Sequence, residues 1–203
     1  MAHLPFFFLE IAKKSRIYKT LTMIMLKQIF EAVSEHPSYN FSINISQIDI
    51  LDTTIVDYIL KSLAQRNIGT RIIFEILEDE SLEDKENFFD FVNYVKALGS
   101  RIAIDDFGAG YSNFSYMLEL NPDIIKIDGS LIKNIDTDRN SYIVTNAIMN
   151  FTKLLKIETI AEYVHSEDVF TIVEELGINY FQGFLFSEPI PESEIEKLSG
   201  MTR

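Results

Sequence analysis

The sequence predicts an α/β protein, a TIM-type (β/α) barrel incomplete at its N-terminus. Short β-branched runs alternate with longer stretches of helical periodicity, the pattern of parallel strands joined by crossover helices. A helix, a glycine and a short strand recur at Gly69, Gly99 and Gly177. The polar residues Asn44, Glu75, Asp105, Asp106, Lys126, Asp128, Glu162 and Gln182 fall where strands end. In a closed barrel the strand ends converge on one face, where active sites sit. In an open doubly wound sheet only residues beside the switch point meet. Contributions from six successive strands favour the barrel, and the shortfall from the usual eight falls at the N-terminus.

The elements follow in chain order. Phe6 to Ala12 is a short apolar stretch, interrupted by Lys13-Lys14-Ser15-Arg16. From Ile17 to Glu35, Leu21, Ile24, Met25, Ile29, Ala32 and Val33 recur at helical spacing, and Pro37 closes the helix. Phe41 to Ile45 alternates and reads as a strand. Asp52-Thr53-Thr54 can cap a helix to about Arg66, ended by Gly69. Arg71 to Leu77 is a β-branched strand. A charged loop leads to a helix over Leu82–Leu98, closed by Gly99. Arg101–Ile104 is the next strand, and Ser112–Leu120 a short helix broken by Asn121-Pro122. Ile124–Asp128 is a strand, and Asp138 can cap a long helix from Arg139 to Leu155. Ile157–Ala161 is a strand, Ser166-Glu167-Asp168 opens a helix ending at Gly177, Tyr180–Phe186 is the last strand, and Glu192–Leu198 a closing helix.

A chain of 203 residues with 47% apolar content fits a single globular domain spanning 1–203. With no cysteine, neither disulfides nor thiolate metal sites can form. The three histidines, His3, His36 and His165, do not pair at ligand spacing. Any metal site must be built from oxygen ligands, which favours magnesium, manganese or calcium over zinc. A net charge of −13 argues against binding a nucleic-acid polymer or an anionic membrane, though a local metal can invert the sign of one site. No apolar run reaches the ~18–20 residues a membrane span needs. The start Met1-Ala2-His3-Leu4-Pro5 lacks the basic region of a signal peptide, so the expected location is the cytoplasm.

The stretch Ile102 to Gly110 carries the chemistry. A buried apolar strand runs into Asp105-Asp106, followed by Phe107 and the glycine pair Gly108 and Gly110, which allow a sharp exit. Adjacent strand residues face opposite sides, so the two carboxylates can share a ligand only where the strand ends and the chain turns. Like charges that close raise each other's pKa unless a cation offsets them. A metal is the simplest offset; a turn cap beside a solvated Asp is the structural alternative. Asp106-Phe107-Gly108 without a kinase catalytic loop is no kinase signature, and Asn113 takes the place of the third glycine of a dinucleotide site.

Ordered motifs over nearly the whole chain resemble the EAL-domain family of bacterial cyclic-di-GMP phosphodiesterases. Pro5 to Ala12 is similar to P-x-x-F-I-P-L-A, and Ile43-Asn44-Ile45-Ser46 to V-N-L-S. Phe74-Glu75-Ile76-Leu77-Glu78 resembles L-E-I-T-E, and Asp105 to Ser112 resembles D-D-F-G-T-G-Y-S. Ile125-Lys126-Ile127-Asp128 is similar to L-K-I-D, Ala161-Glu162-Tyr163-Val164-His165 to A-E-G-V-E, and Gln182 to Ser187 to Q-G-Y-L-F-S. The resemblance implies metal-dependent hydrolysis of cyclic-di-GMP to linear pGpG by water activated at a two-metal magnesium or manganese site. It implies Asn44, Glu75 and Asp105 as metal ligands, Asp106 serving the second metal with Asp128 in support, Lys126 holding the attacking water or a phosphate oxygen, and Glu162 as base. Gln182 would shape the substrate site, and Glu78 would anchor the loop after Asp105-Asp106. It further implies a homodimer and, in the parent protein, an upstream sensor or cyclase domain.

Two departures from the family pattern stand out. The Glu-Ala-Leu strand that names the family lies upstream of the segment matching Pro5–Ala12, so one ligand and the first strand or two are expected to be missing. The A-E-G-V-E motif carries Tyr163 in place of Gly and His165 in place of the second Glu. The missing first-strand Glu motivates an alternative: a catalytically impaired module acting as a cyclic-di-GMP receptor or dimerising signalling domain. An enolase-type barrel, which also sets carboxylates and a Lys at strand ends, lacks the motif order.

Overall fold

The computed structural model describes residues 17–77, 85–110 and 114–200. The expectations placed on Phe6–Ala12, on Glu78 and on Tyr111–Asn113 lie outside them. The elements are α1 (Tyr18–Glu35), β1 (Phe41–Asn44), α2 (Gln47–Leu51), α3 (Thr53–Arg66), β2 (Ile72–Leu77), α4 (Lys85–Ala97), β3 (Arg101–Phe107) and α5 (Phe114–Leu120). Then come β4 (Ile124–Ile127), α6 (Gly129–Ile132), α7 (Arg139–Leu155), β5 (Glu158–Ala161), α8 (Glu167–Glu175) and β6 (Tyr180–Phe181), with 3-10 turns at Gly69–Arg71 and Glu192–Gly200. The six strands form one sheet in the order β1-β2-β3-β4-β5-β6. Unbroken chain order is the order of a (β/α) barrel; a doubly wound sheet reverses at its switch point. The expected fold class is therefore the one observed, with six strands among the described residues. No helix among those residues is long and apolar enough to cross a membrane.

The chain divides into two compact units, residues 1–74 with 80–101 and residues 75–79 with 102–203. In the first, Leu26, Phe30 and Val33 of α1, Ile55, Ile59 and Leu63 of α3, and Phe88, Phe91 and Val95 of α4 are buried. The helical spacing of these residues puts each set on one face, which is why the helices form and which side they bury. Phe74 meets Phe91 edge to face at 5.6 Å. The Asp52 side chain accepts from the Thr54 and Ile55 N–H groups at 2.9 and 3.3 Å, so the predicted cap of α3 is real. Gly69 is required because any Cβ there would collide with the Leu98 carbonyl. Such a clash between a side chain and backbone has no cheap relief.

The second unit holds β3 to β6, paired in parallel. All four residues of β4 are buried, as expected of a strand covered on both faces. Asp138 caps α7 by accepting from the Asn140 N–H at 2.9 Å, and Ser166 caps α8 by accepting from Val169 at 3.3 Å.

Four local features differ from the sequence reading. β3 runs on through Asp105 and Asp106 to Phe107 instead of ending at Ile104, with its register to β4 shifting between Ile104 and Phe107. β6 has two residues rather than seven. Beyond it the chain wraps Val164: the Val164 N–H donates to the Gln182 carbonyl at 3.0 Å and the Leu185 N–H donates to the Val164 carbonyl at 3.1 Å. That turn, tight because the Gly183 backbone abuts Val164, removes residues 182–186 from the ladder. The closing helix is a 3-10 helix. The short helices α2 and α6 have too few residues to show a period.

Candidate active site

The second unit gathers five of the predicted site residues, Glu75, Asp105, Lys126, Glu162 and Asp106. Glu75 sits in β2, Asp105 and Asp106 in β3, Lys126 in β4, and Glu162 directly after β5. Lys126 is 5% exposed. Its Nζ donates to Glu75 Oε2 at 3.0 Å and Asp105 Oδ1 at 2.7 Å, and pairs with Glu162 Oε1 at 2.8 Å. One ammonium thus ties three strand ends that lie far apart in sequence. Burial pushes the Lys126 pKa down, but Glu75, Asp105 and Glu162 together outweigh burial and raise it. The ammonium stays charged at any working pH.

Three carboxylates converge beside that ammonium. Oxygens of Asp105, Asp106 and Glu162 all lie within 4.8 Å of one another. The device that brings adjacent residues together is the break in register at β3, where Asp106 adopts a left-handed φ of 54°. An extended strand would have sent the two side chains to opposite faces. The sequence reading placed the turn after the strand; the structure places it within the strand, as a bulge. Desolvation, then the charges of Asp105 and Asp128, raise the pKa of Asp106. Desolvation also raises that of Glu162, against the pull of Lys126. Asp106 and Glu162, each beside a like charge in a partly buried setting, hold their protons more readily than a free carboxyl does.

The donor set fits a hard divalent cation. Asp105, Asp106 and Glu162 offer one oxygen each within a span that one or two such ions can bridge, and no softer ligand stands among them.

The remaining predicted residues are placed as follows. Asp128 accepts from the Ser130 N–H at 2.9 Å, capping α6, and lies against Asp106. Gln182 is exposed after β6, its N–H donating to the Ala161 carbonyl at 2.8 Å. Asn44 is the exposed last residue of β1 in the first unit. Tyr163 also has a left-handed φ, of 58°. The replaced glycine of the motif was the signal for that conformation.

The family model described as EAL domain matches residues 3–189, and the chain belongs to that family. It is 30% identical over 192 residues to the cyclic di-GMP phosphodiesterase PdeF of Escherichia coli, an alignment covering 92% of this chain and 26% of PdeF. Among solved structures it resembles the PaMucR phosphodiesterase in its c-di-GMP complex, with 26% identity, a TM-score of 0.84, and coverage of 96% of this chain and 80% of that one. It also resembles Klebsiella pneumoniae BlrP1 in a calcium and cyclic-di-GMP complex, with 25% identity, a TM-score of 0.79, and coverage of 88% and 46%. The chain spans 18–26% of the length of the first curated relatives it matches.

Proposed function

We propose that the chain hydrolyses cyclic-di-GMP to linear pGpG with magnesium or manganese held by Asp105 and Asp106 and with Glu162 as the base. The observation that carries this reading is the convergence of those three carboxylates beside the buried Lys126, in a member of the EAL family. Bound divalent cations would neutralise the phosphodiester and make water a better nucleophile at neutral pH. Lys126 holds Asp105, Glu75 and Glu162 in place and adds a fixed positive charge for a phosphate oxygen. Glu162, its pKa raised by burial, accepts the proton of the attacking water. The water oxygen bonds to phosphorus as one phosphorus–oxygen bond of the ring opens, and the departing ribose oxygen is protonated. Glu75 completes the metal ligands, Asp128 supports Asp106, and Gln182 shapes the substrate site. The same reading takes 1–203 as one EAL domain working as a homodimer in the cytoplasm, beneath a sensor or cyclase domain of the parent protein.

The test is incubation of the pure protein with cyclic-di-GMP and magnesium or manganese. Turnover is expected, abolished by chelator, by Glu162→Gln and by Asp105→Asn. Turnover that survives both substitutions removes the assignment. Tight binding of the dinucleotide in chelator without turnover in metal makes the chain a receptor instead.

A further inference from the structure

The aromatic pair that follows Glu162 has no part in the chemistry above. Among the described residues, five non-glycine positions adopt positive φ: Asn67, Asp106, Asn121, Lys156 and Tyr163. Asn and Asp tolerate this region, and Lys156 closes α7. Tyr163 belongs to neither case, and a bulky aromatic residue there is a true outlier. Packing does not account for it either, since Tyr163 is 50% exposed. Its ring is nevertheless held in place. Its Cβ, Cγ and Cδ2 lie along Gly129, 2.8, 3.4 and 3.7 Å from where a Cβ on that glycine would stand. Its other neighbour is the exposed His165, with ring centroids 5.6 Å apart and planes inclined by 60°. Gly129 directly follows Asp128, which lies against Asp106, and Tyr163 directly follows Glu162. The half-exposed ring and the carboxylates Asp128 and Glu162 thus follow the ends of two paired parallel strands, β4 and β5.

We infer that Tyr163, supported by His165 and Gly129, is a stacking shelf for a purine base of the nucleotide whose phosphodiester sits at Asp105, Asp106 and Glu162. The inference rests on the phosphodiesterase reading and adds a residue that determines specificity. A phosphate held at the carboxylates leaves its own nucleobase one nucleoside away. A fixed, wet-faced aromatic ring is what a base needs there, and one base–aromatic stack is worth roughly 5- to 150-fold in affinity. The left-handed backbone is the cost of presenting the ring at this point.

The experiment compares the wild-type chain with Tyr163→Phe and Tyr163→Gly, the latter relieving rather than adding backbone strain. Binding of cyclic-di-GMP by calorimetry and turnover with manganese are measured alongside the guanine H8 chemical shift. Tyr163→Gly is expected to raise Kd and KM by roughly 5- to 150-fold. Its kcat should stay the same and the upfield H8 shift seen with wild type should disappear, while Tyr163→Phe keeps all three. Equal Kd for wild type and Tyr163→Gly overturns the shelf alone. Tighter binding by Tyr163→Gly overturns it too, because the ring would then be an obstruction. Absence of any binding by wild type overturns the phosphodiesterase reading and the shelf with it.

Discussion

Each unit centres a ring of polar partners on a buried ionisable group, and the two rings are built on opposite principles. In the first, Asp49 is 2% exposed and surrounded by neutral donors. The Ser46 hydroxyl and N–H reach it at 2.6 and 3.0 Å, the Tyr18 hydroxyl at 2.9 Å and the Thr22 hydroxyl at 2.9 Å. One charge is met by as many donors as it can use. The result is a capping box at α2 tied to α1, with nothing left over for a ligand. In the second unit a lone ammonium faces Glu75, Asp105 and Glu162, with Asp106 and Asp128 close behind. There the charges do not cancel. A polar cluster that is satisfied by itself reads as structure, and one with several negative charges in surplus reads as a site whose charge a cation would balance.

The sharpest way to break this contrast is to remove the central charge of the second ring. Lys126→Met leaves Glu75, Asp105 and Glu162 without their shared ammonium. Taking one partner from a buried ion pair costs about 3–5 kcal/mol. Urea unfolding in chelator should show that loss, and added magnesium should restore part of it. A variant as stable as wild type in chelator would mean that the ammonium does not balance these carboxylates.

Next in size is the cation itself. A divalent ion held at 100 times its Kd stabilises the folded state by about 2.7 kcal/mol. Thermal unfolding with and without manganese should show a corresponding rise in Tm, absent in Asp105→Asn and fully retained in Asp49→Asn. If Asp49→Asn lost the response instead, the division between a structural and a functional ring would fail.

The two rings also differ in how far the sequence foretells them. Local signals were legible in part: Asp52, Asp138 and Ser166 cap the helices that were predicted to follow them, whereas α3 ends at Arg66 with Asn67 in the left-handed region rather than at Gly69. The strand-end positions of Glu75, Asp105, Asp106, Lys126 and Glu162 were legible too, because strand periodicity and motif order both point to them. What the sequence withheld depends on distant contacts. Lys126 and Glu75 are 51 residues apart, and no local pattern specifies that pairing. The bulge that turns Asp106 beside Asp105 arises from the register of β3 against β4. β6 stops after Phe181 because Val164, from another part of the chain, takes up the backbone groups of residues 182 and 185. α2 is only five residues long, so its capping box at Ser46 and Asp49 carries it, not a hydrophobic period.

A smaller effect probes the finished ring. Asp49→Ala strands the hydroxyls of Tyr18, Thr22 and Ser46, and buried donors left unpaired cost about 2 kcal/mol. Equilibrium unfolding in urea measures it. Manganese binding at Asp105 and Asp106 should persist, since the Asp49 side chain is committed to Tyr18, Thr22 and Ser46.

The smallest effect gives the first ring a pH signature. Burial, aided by the negative charge of Asp49 and opposed by the Ser46 hydrogen bond, pushes the Tyr18 phenol up to about 12. An unfolded tyrosine ionises near pH ~10. Between those values the unfolded chain gives up the proton that the folded chain keeps, so the folded state loses stability as pH rises. The contribution is fully present below about pH 10 and is lost as pH climbs through the folded pKa, beyond which it changes no further. Tyr18→Phe removes the ionisable group and one hydrogen bond to Asp49, at about 1 kcal/mol near neutrality. The gap in stability between wild type and Tyr18→Phe should therefore be widest below pH ~10 and close steadily above it. Urea midpoints taken at half-unit steps from neutrality upward would show this. A gap that stays constant across the alkaline range would mean that the phenol is not held neutral by the Asp49 ring.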